Sequence, residues 1–201
     1  MVIGITGEIG AGKSTLAAIF KDWGARLISG DEIGWELLRQ EEPTYRLLLE
    51  RYGRDILNAE GDIDRRKLGE IVFSSPVETR KFNGLVHPEL LRRLKRRIEE
   101  TKRTSSLVVV DAALIVEWGM TGEFDKLIVV IADEDRRIDR LKRSWQLNDE
   151  VLKDRFRAQL PREEKIKCAD WVIENNGDLR ELKDEAEKIW RELSKWRERR
   201  S

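Results

Sequence analysis

The sequence contains few residues of the kinds that build disulfides, metal clusters or membrane spans. Cys168 is the single cysteine and His87 the single histidine among 201 residues, so an internal disulfide and a cysteine-rich or histidine-cluster metal site are excluded. No apolar run approaches the roughly 20 residues of a membrane span, and the chain enters an apolar strand pattern at once, without a signal peptide. We therefore expect a cytoplasmic protein without a membrane partner.

An excess of either charge is also missing. Lysine plus arginine and aspartate plus glutamate each number 39, so the formal net charge is zero and no global basic field favours nucleic acid as a partner. A local arginine patch that binds phosphate chains stays open as an alternative. Charged residues make up 39% of the chain, a density typical of the ion-paired surfaces of heat-stable proteins. The length allows one sizeable domain with insertions, which we expect to be a monomer or a weak homo-oligomer.

The most informative pattern that is present lies near the N-terminus. Residues 7–14, here called the phosphate loop, match G-x-x-x-x-G-K-[ST] between an apolar run and a helix-type pattern. The glycines let backbone N–H groups point into one concavity that suits an anion, and the helix adds its positive N-terminal end. We expect a nucleoside triphosphate here, with Lys13 on the β- and γ-phosphates and the Ser14 hydroxyl group on Mg²⁺. The alternative is a glycine-rich turn that binds nothing. The predicted cofactor-binding residues of this stretch are Gly7, Glu8, Ile9, Gly10, Ala11, Gly12, Lys13, Ser14 and Thr15.

Short apolar runs separated by helix-type patterns predict the fold class. The runs are fairly continuous, which is typical of parallel strands covered on both faces. They span about 2–6, 25–29, 106–111, 126–132 and 170–174. Together with the phosphate loop, this alternation predicts an α/β protein: a P-loop NTPase three-layer α/β/α sandwich with a five-stranded parallel sheet.

Two stretches interrupt this alternation. Residues 31–103 are too long for one crossover, and we interpret them as a helical insertion on the substrate side, with helices at about 31–40, 43–51, 64–73 and 76–101. Residues 145–163 are rich in arginine, lysine and aspartate, and we interpret them as a lid in which Asn148 caps a helix that runs to about 160. The predicted core is then 1–30, 104–144 and 164–201, and it ends in a helix over about 178–197.

Two aspartates follow predicted strands at the edge where open α/β sheets bind ligands. Asp31 is positioned to accept the proton of an attacking hydroxyl group; the alternative is an N-cap for the helix over 32–40. Asp111 ends the third run and would hold Mg²⁺ together with Ser14; the alternative is a carboxylate that caps the next turn. Glu117, a few residues further on, faces either the substrate or solvent.

Arginines crowd the predicted lid and the helix before it. Their planar forks stabilise the negative charge of a transferring phosphoryl group, and a lid that excludes water is a recurrent device of kinases. Arg140 is the first candidate for this role and Arg143 the second, and a solvated helix face is the alternative for the others. The crowd consists of Arg136, Arg137, Arg140, Arg143, Arg155, Arg157 and Arg162.

His87 precedes Pro88, and proline favours the first position of a helix. We therefore place the pair at the start of the long helix of the insertion. Taken alone, a histidine in such a place is more often a turn residue than a catalyst.

The residues now resemble one family, the dephospho-coenzyme A kinases, over nearly the whole chain. Ile5–Thr15 is similar to the family's G-L-T-G-G-I-G-S-G-K-S loop. The phosphate loop alone is common to very many proteins, whereas the ordered set of further matches is quite specific. These are Gly61–Leu68 with Ile71–Phe73, His87-Pro88, Arg140–Arg143, Gln159, Lys165, Ala169-Asp170, and Ile173 with Asn175–Gly177.

The resemblance implies transfer of the γ-phosphate of ATP to the ribose 3′-hydroxyl group of 3′-dephospho-coenzyme A, the last step of coenzyme A biosynthesis. It implies that 31–103 binds coenzyme A and that ATP and Mg²⁺ are the cofactors. Asp31 matches the second aspartate of the family's D-A-D and would be the base, while Lys13, Arg140 and Arg143 would act on the phosphates. The remaining implied contacts are Arg65, His87, Leu114 and Glu117 for the acceptor, and Asn175, Asn176 and Gly177 for the adenine of ATP.

The chain departs from the family pattern at three places. Ser29 stands where D-A-D has its first aspartate, so Asp31 must suffice as the carboxylate. Ala113 replaces the proline of P-L-L-[FY]-E, which predicts a looser turn and altered acceptor contacts. Arg137 replaces the usual glutamine before the lid arginine and brings an extra charge to the lid.

Two other functions remain open from the sequence. One is another P-loop small-molecule or nucleotide kinase. The other is a non-enzymatic nucleotide-binding switch, since Asp31–Gly34 mimics the D-x-x-G element of GTPases. The guanine motif N-K-x-D occurs nowhere in the chain, which counts against the switch.

Overall fold

The computed structural model describes residues 1–145, 152, 155–156 and 159–198. Its five strands form one all-parallel sheet in the order β2-β3-β1-β4-β5. The predicted five-stranded parallel α/β sheet is therefore confirmed. The strands are β1 (Val2–Gly7), β2 (Arg26–Ser29), β3 (Val108–Asp111), β4 (Lys126–Ile131) and β5 (Trp171–Glu174).

The helices of the described residues lie between and after these strands. In the described part of the chain, no helix combines the length and the apolar character that crossing a membrane requires. The helices are α1 (Lys13–Asp22), α2 (Gly30–Glu36), α3 (Pro43–Tyr52), α4 (Arg65–Val72), α5 (Pro76–Lys102), α6 (Glu134–Trp145), α7 (Arg162–Ile166) and α8 (Leu179–Glu198).

β1 is the central strand, and all six of its residues are buried. Ile3 and Ile5 point into a cluster that α1 and α8 complete with apolar side chains such as Leu16 and Ile189. Because side chains alternate along a strand, Thr6 faces the other side of the sheet, which α7 contacts. Burial on both faces explains why β1, β3 and β4 are continuous apolar runs in the sequence, whereas the edge strands β2 and β5 are partly exposed.

Three aromatic side chains pack α8 against α1 within this cluster. The rings of Phe20 and Trp23 lie 6.0 Å apart between centroids, and Trp190 of α8 contacts both edge-on, at 5.4 and 5.5 Å. Aromatic pairs at such distances add stabilisation beyond the area that they bury. The start of α1, where the phosphate loop ends, is thus carried by a rigidly packed helix.

The chain forms two compact units. The core unit comprises residues 1–29 and 98–201, and the insertion unit comprises 30–97. The helical insertion predicted from the sequence spans 31–103. Fully buried side chains inside the insertion unit, among them Ile33, Leu48 and Ile56, give it an apolar interior of its own.

Two details of the insertion unit differ from the sequence expectations. α2 begins at Gly30 and ends at Glu36, so Asp31 lies in the first turn of the helix and is not its N-cap. Pro88 lies inside α5 and not at its start. A proline within a helix lacks the N–H group for the carbonyl four residues earlier and crowds that carbonyl. Here that residue is Gly84, where a side chain would meet nothing within 4 Å, so the backbone has room to adjust.

Most of the predicted lid, 145–163, lies outside the described residues, including Asn148 and most of the helix predicted to follow it. The described part contains Gln159 and the start of α7 at Arg162. Both contact the phosphate loop, as described below.

Candidate active site

The phosphate loop connects the central strand to α1 with a backbone that needs glycine. Gly7 has a φ of 138°, and a Cβ atom there would lie 2.0 Å from the carbonyl oxygen of Val130. Gly12 has a φ of 101°, and its Cβ atom would lie 2.3 Å from the side-chain nitrogen of Asn175. Any side chain at either position would be strained and would clash. The glycines of the motif therefore serve close approach to the neighbouring strands as well as the turn itself.

Lys13 and Ser14 begin α1 directly after this turn. The Lys13 ammonium group donates a hydrogen bond to the carbonyl oxygen of Glu8 at 3.1 Å, so it lies over the loop. Ser14 and Thr15 are exposed. The first N–H groups of α1 have no carbonyl partner within the helix, which leaves positive potential where the motif requires it.

Arg140 and Asn175 meet at the carbonyl oxygen of Ala11. Asn175 donates to this oxygen from its side chain at 2.7 Å, and Arg140 donates to it at 3.3 Å. The same guanidinium group also donates to the carbonyl oxygens of Asn175 at 2.9 Å and Gly177 at 3.5 Å. The structure thus brings Arg140, Asn175 and Gly177 to the phosphate loop. Burial, with a smaller effect of the Arg136 charge, lowers the pKa of Arg140, but an arginine keeps its proton at any physiological pH.

The other two residues predicted on this side occupy different places. The Asn176 side chain accepts a hydrogen bond from the backbone N–H group of Asp133 at 2.8 Å, which joins the end of β5 to the segment before α6. Arg143 lies in the last turn of α6 and is exposed. Arg140 belongs to the same helix, so both arginines precede the predicted lid.

Glu8 collects contacts that the motif does not specify. Its carboxylate forms ion pairs with Arg162 at 2.9 Å and Arg137 at 3.4 Å and accepts a hydrogen bond from the N–H group of Ala132 at 3.3 Å. Beside it, the Gln159 side chain accepts a hydrogen bond from the N–H group of Ile9 at 2.8 Å and donates to the carbonyl oxygen of Gly7 at 3.4 Å. Glu8 occupies a variable position of the motif, so its ion pairs could not be predicted from the motif. The one indication in the sequence was the large number of arginines in and before the predicted lid.

Asp111 ends β3, the strand next to β1, and its register partner there is Ile5. The side chain is buried, whereas Ser14 is exposed. A carboxylate and a hydroxyl oxygen are the hard ligands that Mg²⁺ prefers. Among the described residues, no group of three or more acidic, histidine or cysteine side chains is arranged so that it could hold a metal ion. The donor set fits Mg²⁺, which is usually held by one or two protein groups, waters and the phosphates of its substrate.

Glu117 is neither a solvated charge nor simply open to a ligand. Its Oε1 atom lies 2.7 Å from the ammonium group of the fully buried Lys165 and accepts a hydrogen bond from the N–H group of Leu160 at 3.1 Å. Its other oxygen, Oε2, is buried and has no hydrogen-bond partner among the described residues. The sequence offered no sign that Lys165 would be buried.

The turn at Ala113 is anchored through its backbone carbonyl oxygen. Its carbonyl oxygen accepts hydrogen bonds from the Thr6 hydroxyl group at 3.1 Å and from the Lys165 ammonium group at 3.0 Å. Leu114 follows in this turn and is half-buried. These two hydrogen bonds anchor the turn, and the looser turn expected from the loss of proline stays a prediction.

Asp31, Arg65 and His87 belong to the insertion unit. Asp31 is exposed, and burial lowers the pKa of the half-buried His87 below its ordinary value. Arg65 begins α4, and its guanidinium carbon lies 3.9 Å from the centroid of the Trp35 ring. The side chains of Arg65 and Trp35 line a cleft of about 860 Å³ within this unit, together with Gln40, Asp62 and Ile63 among others.

Known proteins resemble the chain over nearly its full length. A family model described as dephospho-CoA kinase matches residues 1–181. A dephospho-CoA kinase of Aquifex aeolicus is 36% identical over 194 residues, covering 96% of this chain and 97% of the relative. One of Carboxydothermus hydrogenoformans is 37% identical over 198 residues, covering 98% and 94%.

Solved structures agree with these sequence matches. The crystal structure of a Thermus thermophilus protein has a TM-score of 0.74 at 35% identity and covers 96% of this chain and 97% of that one. Dephospho-CoA kinase from Campylobacter jejuni has a TM-score of 0.64 at 25% identity, covering 96% of each chain. Shikimate kinase from Acinetobacter baumannii, at 16% identity and a TM-score of 0.54 over 96% of this chain and 93% of that one, shares the fold.

Proposed function

The chain belongs to the dephospho-CoA kinase family, and on this basis we propose that it transfers the γ-phosphoryl group of ATP to the ribose 3′-hydroxyl group of 3′-dephospho-coenzyme A. This is the last step of coenzyme A biosynthesis. The observation that carries the proposal is a family match over residues 1–181 in a chain whose phosphate loop is fully formed. No contact of the described residues favours the kinase of another acceptor, and Asp31–Gly34, the one stretch that resembles a switch element, lies within α2.

On the nucleotide side, Gly7–Thr15 bind the phosphates through backbone N–H groups and the Lys13 ammonium group. The hydrogen bonds of Arg140 to Ala11 and Asn175 support a role for this arginine at the phosphates, because they hold its fixed charge against the loop. Such charges stabilise the negative charge that spreads over the transferring group. We assign Arg143 to the phosphates and Asn175–Gly177 to the adenine side of ATP.

Mg²⁺ belongs to the proposal as a cofactor held by Ser14 and Asp111. When bound, it supplies positive charge that neutralises the phosphates of ATP. Two hard oxygen donors support this assignment. The Asp111 carboxylate lies at the end of β3, and the Ser14 hydroxyl group lies at the start of α1, which follows β1, the strand next to β3.

On the acceptor side, Asp31 is the proposed base. It accepts the proton of the 3′-hydroxyl group as that oxygen bonds to the γ-phosphorus, and the bond from this phosphorus to the bridging oxygen breaks to release ADP. The position of Asp31, two residues after Ser29 at the end of β2, supports this role, since ligands of open α/β sheets bind beyond the carboxyl ends of strands.

The other proposed acceptor contacts are Arg65, His87, Leu114 and Glu117. Arg65 offers a permanent positive charge for a phosphate group of the acceptor. The lowered pKa of His87 favours a neutral imidazole at neutral pH, which suits a hydrogen bond better than an ion pair. The buried Oε2 atom of Glu117, without a hydrogen-bond partner in the described residues, supports a contact with a donor group of the ligand.

We also propose a cytoplasmic monomer or weak homo-oligomer that binds no nucleic acid. A formal net charge of zero supports the last point, and a single exposed cysteine suits a reducing compartment. Sedimentation velocity at two protein concentrations measures the oligomeric state directly.

The reaction is tested by incubating the purified protein with Mg·ATP and 3′-dephospho-coenzyme A. We expect equal amounts of ADP and coenzyme A to form, and mass spectrometry measures both products. Shikimate and gluconate serve as acceptors for comparison and should give no product. A correctly folded, ATP-binding protein that forms no coenzyme A would overturn the proposal.

The role of Asp31 is tested separately with Asp31→Asn. Loss of a general base lowers kcat by about 100-fold or more, while the Kd for ATP should stay within about twofold. Glu32→Gln, which removes the carboxylate next in the chain, is the matched control and should behave as the unaltered protein. Normal turnover of Asp31→Asn would remove this residue from the mechanism.

A further inference from the structure

Glu8 places a negative charge inside the loop that is expected to hold a triphosphate. Its side chain is only 12% exposed, so water screens this charge poorly. A carboxylate in such surroundings repels phosphate oxygens, and a buried charge is tolerated only when it is paired and hydrogen-bonded. The partners of Glu8 therefore decide what this charge does to nucleotide binding.

These partners come from three different elements of the core unit. Arg137 belongs to α6, Arg162 begins α7, and the N–H group of Ala132 follows β4. Arg162 also donates to the carbonyl oxygen of Ala132 at 2.8 Å, so one guanidinium group bridges the loop and the strand end. One carboxylate with two guanidinium groups leaves the cluster with one net positive charge.

Arg137 depends on Glu8 more than Arg162 does. It is buried, its guanidinium carbon lies 4.4 Å from the centroid of the Phe156 ring, and its Nε atom has no hydrogen-bond partner in the described residues. Among the described residues, Glu8 is the one acidic side chain with which it forms an ion pair. Without that carboxylate, the buried charge of Arg137 would lose its ion pair and keep only the weaker attraction of Glu134 in its own helix.

We propose that Glu8 is a positioning residue that fixes Arg137 and Arg162 beside the phosphate loop, so that nucleotide meets a loop already tied to α6 and α7 and carrying a net positive cluster. The expected effect on nucleotide binding depends only on the phosphate loop and not on the identity of the acceptor. Its effect on turnover rests on the function proposed above.

Glu8→Gln keeps the shape of the side chain and removes its charge. We expect the Kd for Mg·ATP, measured by calorimetric titration, to rise about tenfold or more, because Arg137 loses its ion pair and Arg162 keeps only its hydrogen bond to the carbonyl oxygen of Ala132. The KM for ATP should rise in parallel, while the KM for 3′-dephospho-coenzyme A stays unchanged. Tighter ATP binding by Glu8→Gln would overturn the proposal, because it would show that the carboxylate merely repels phosphate.

The double variant separates positioning from simple charge. Arg137→Gln alone lowers the net charge of the cluster to zero and should also raise the Kd for ATP. Glu8→Gln with Arg137→Gln leaves no unpaired Arg137, but it still removes Arg137 and the ion pair of Arg162, so its Kd should stay above that of the unaltered protein and below the value that the two single effects would give together. Purely additive effects of the two substitutions would contradict the coupling.

Glu164→Gln is the matched control. It removes an exposed carboxylate of α7 that pairs with Lys167 at 2.6 Å, and it should change neither constant. A purely structural role of Glu8 would lower the number of binding sites per mole at unchanged Kd, and that result counts against the proposal. ATP binding without transfer would defeat the proposed function alone, whereas absence of ATP binding by the unaltered protein would defeat both.

Discussion

Two lysines of the core unit hold their charges in contrasting surroundings. Lys13 donates to a backbone carbonyl oxygen of its own loop, a contact that a phosphate oxygen can replace. Lys165 is fully buried between the Glu117 carboxylate and the Ala113 carbonyl oxygen. A buried charge of this kind is kept in place by the large cost of separating it from its partner. We therefore expect Lys13 to exchange partners during turnover and Lys165 to keep them.

Lys165→Met tests this assignment. The substitution leaves the Glu117 carboxylate buried without its cation, so we expect the free energy of unfolding to fall by about 3–5 kcal/mol. Urea unfolding followed by circular dichroism measures the loss. Lys165→Met combined with Glu117→Gln should recover most of it, and a double variant as unstable as the single one would contradict the ion-pair explanation.

His87 should make stability depend on pH. Burial lowers its pKa in the folded chain below the ordinary value of 6.5, so the unfolded chain binds more protons between the two values. Stability due to the neutral imidazole is then present above about pH 6.5 and is lost as the pH falls below it. Between pH 7.5 and pH 5 the unaltered protein should lose more unfolding free energy than His87→Gln. Equal losses in the two proteins would show that another group is responsible.

At the scale of single elements, α5 continues through a residue that usually stops helices. Pro88 cannot donate a hydrogen bond to the carbonyl oxygen of Gly84, and packing of buried residues such as Leu90 and Leu94 must offset this loss. The helix is thus held by its tertiary contacts at a point where its local sequence is unfavourable.

Pro88→Ala should therefore stabilise the protein. Alanine restores the N–H donor, and we expect the free energy of unfolding to rise by about 1–3 kcal/mol. Pro76→Ala, at the first position of the same helix, is the control: proline is tolerated there, so stability should stay level or fall by up to about 1 kcal/mol. Both values follow from urea unfolding, and a less stable Pro88→Ala variant would contradict the explanation.

The elements also show what the sequence could predict. The strands were placed within two residues, and burial on both faces is the reason that β1, β3 and β4 are continuous apolar runs. The phosphate loop was predicted because its glycines and Lys13 are required by local geometry. The contacts of Glu8 with Arg137 and Arg162 were not, since they join positions far apart in the chain. Pro88 was misplaced because a local preference was overruled by packing.

At the scale of the whole molecule, charge is abundant but locally balanced. Several ion pairs of the described residues join exposed side chains of a single helix, such as Glu185 with Lys188 and Glu187 with Arg191. Exposed pairs contribute about 0–1 kcal/mol each and are screened by salt. Buried contacts and bound ligands should therefore dominate the stability of the chain.

Nucleotide binding should be visible as a global effect. At about 100 times its Kd, Mg·ATP adds about 2.7 kcal/mol of stability, which corresponds to a rise of about 5–10 °C in Tm for a chain of this size. Differential scanning fluorimetry measures the shift. Lys13→Ala should reduce it strongly, and an equal shift in that variant would argue against the phosphate loop as the binding site.

The place at which the insertion unit enters the sheet has an evolutionary consequence. Residues 30–97 form one uninterrupted segment that leaves the core after β2 and returns before β3, and these two strands are neighbours in the sheet. Such a segment can be lengthened, shortened or exchanged between relatives without any change in strand order. With the acceptor bound by this segment, as proposed above, natural selection could alter what is phosphorylated while the proposed machinery for ATP is inherited intact.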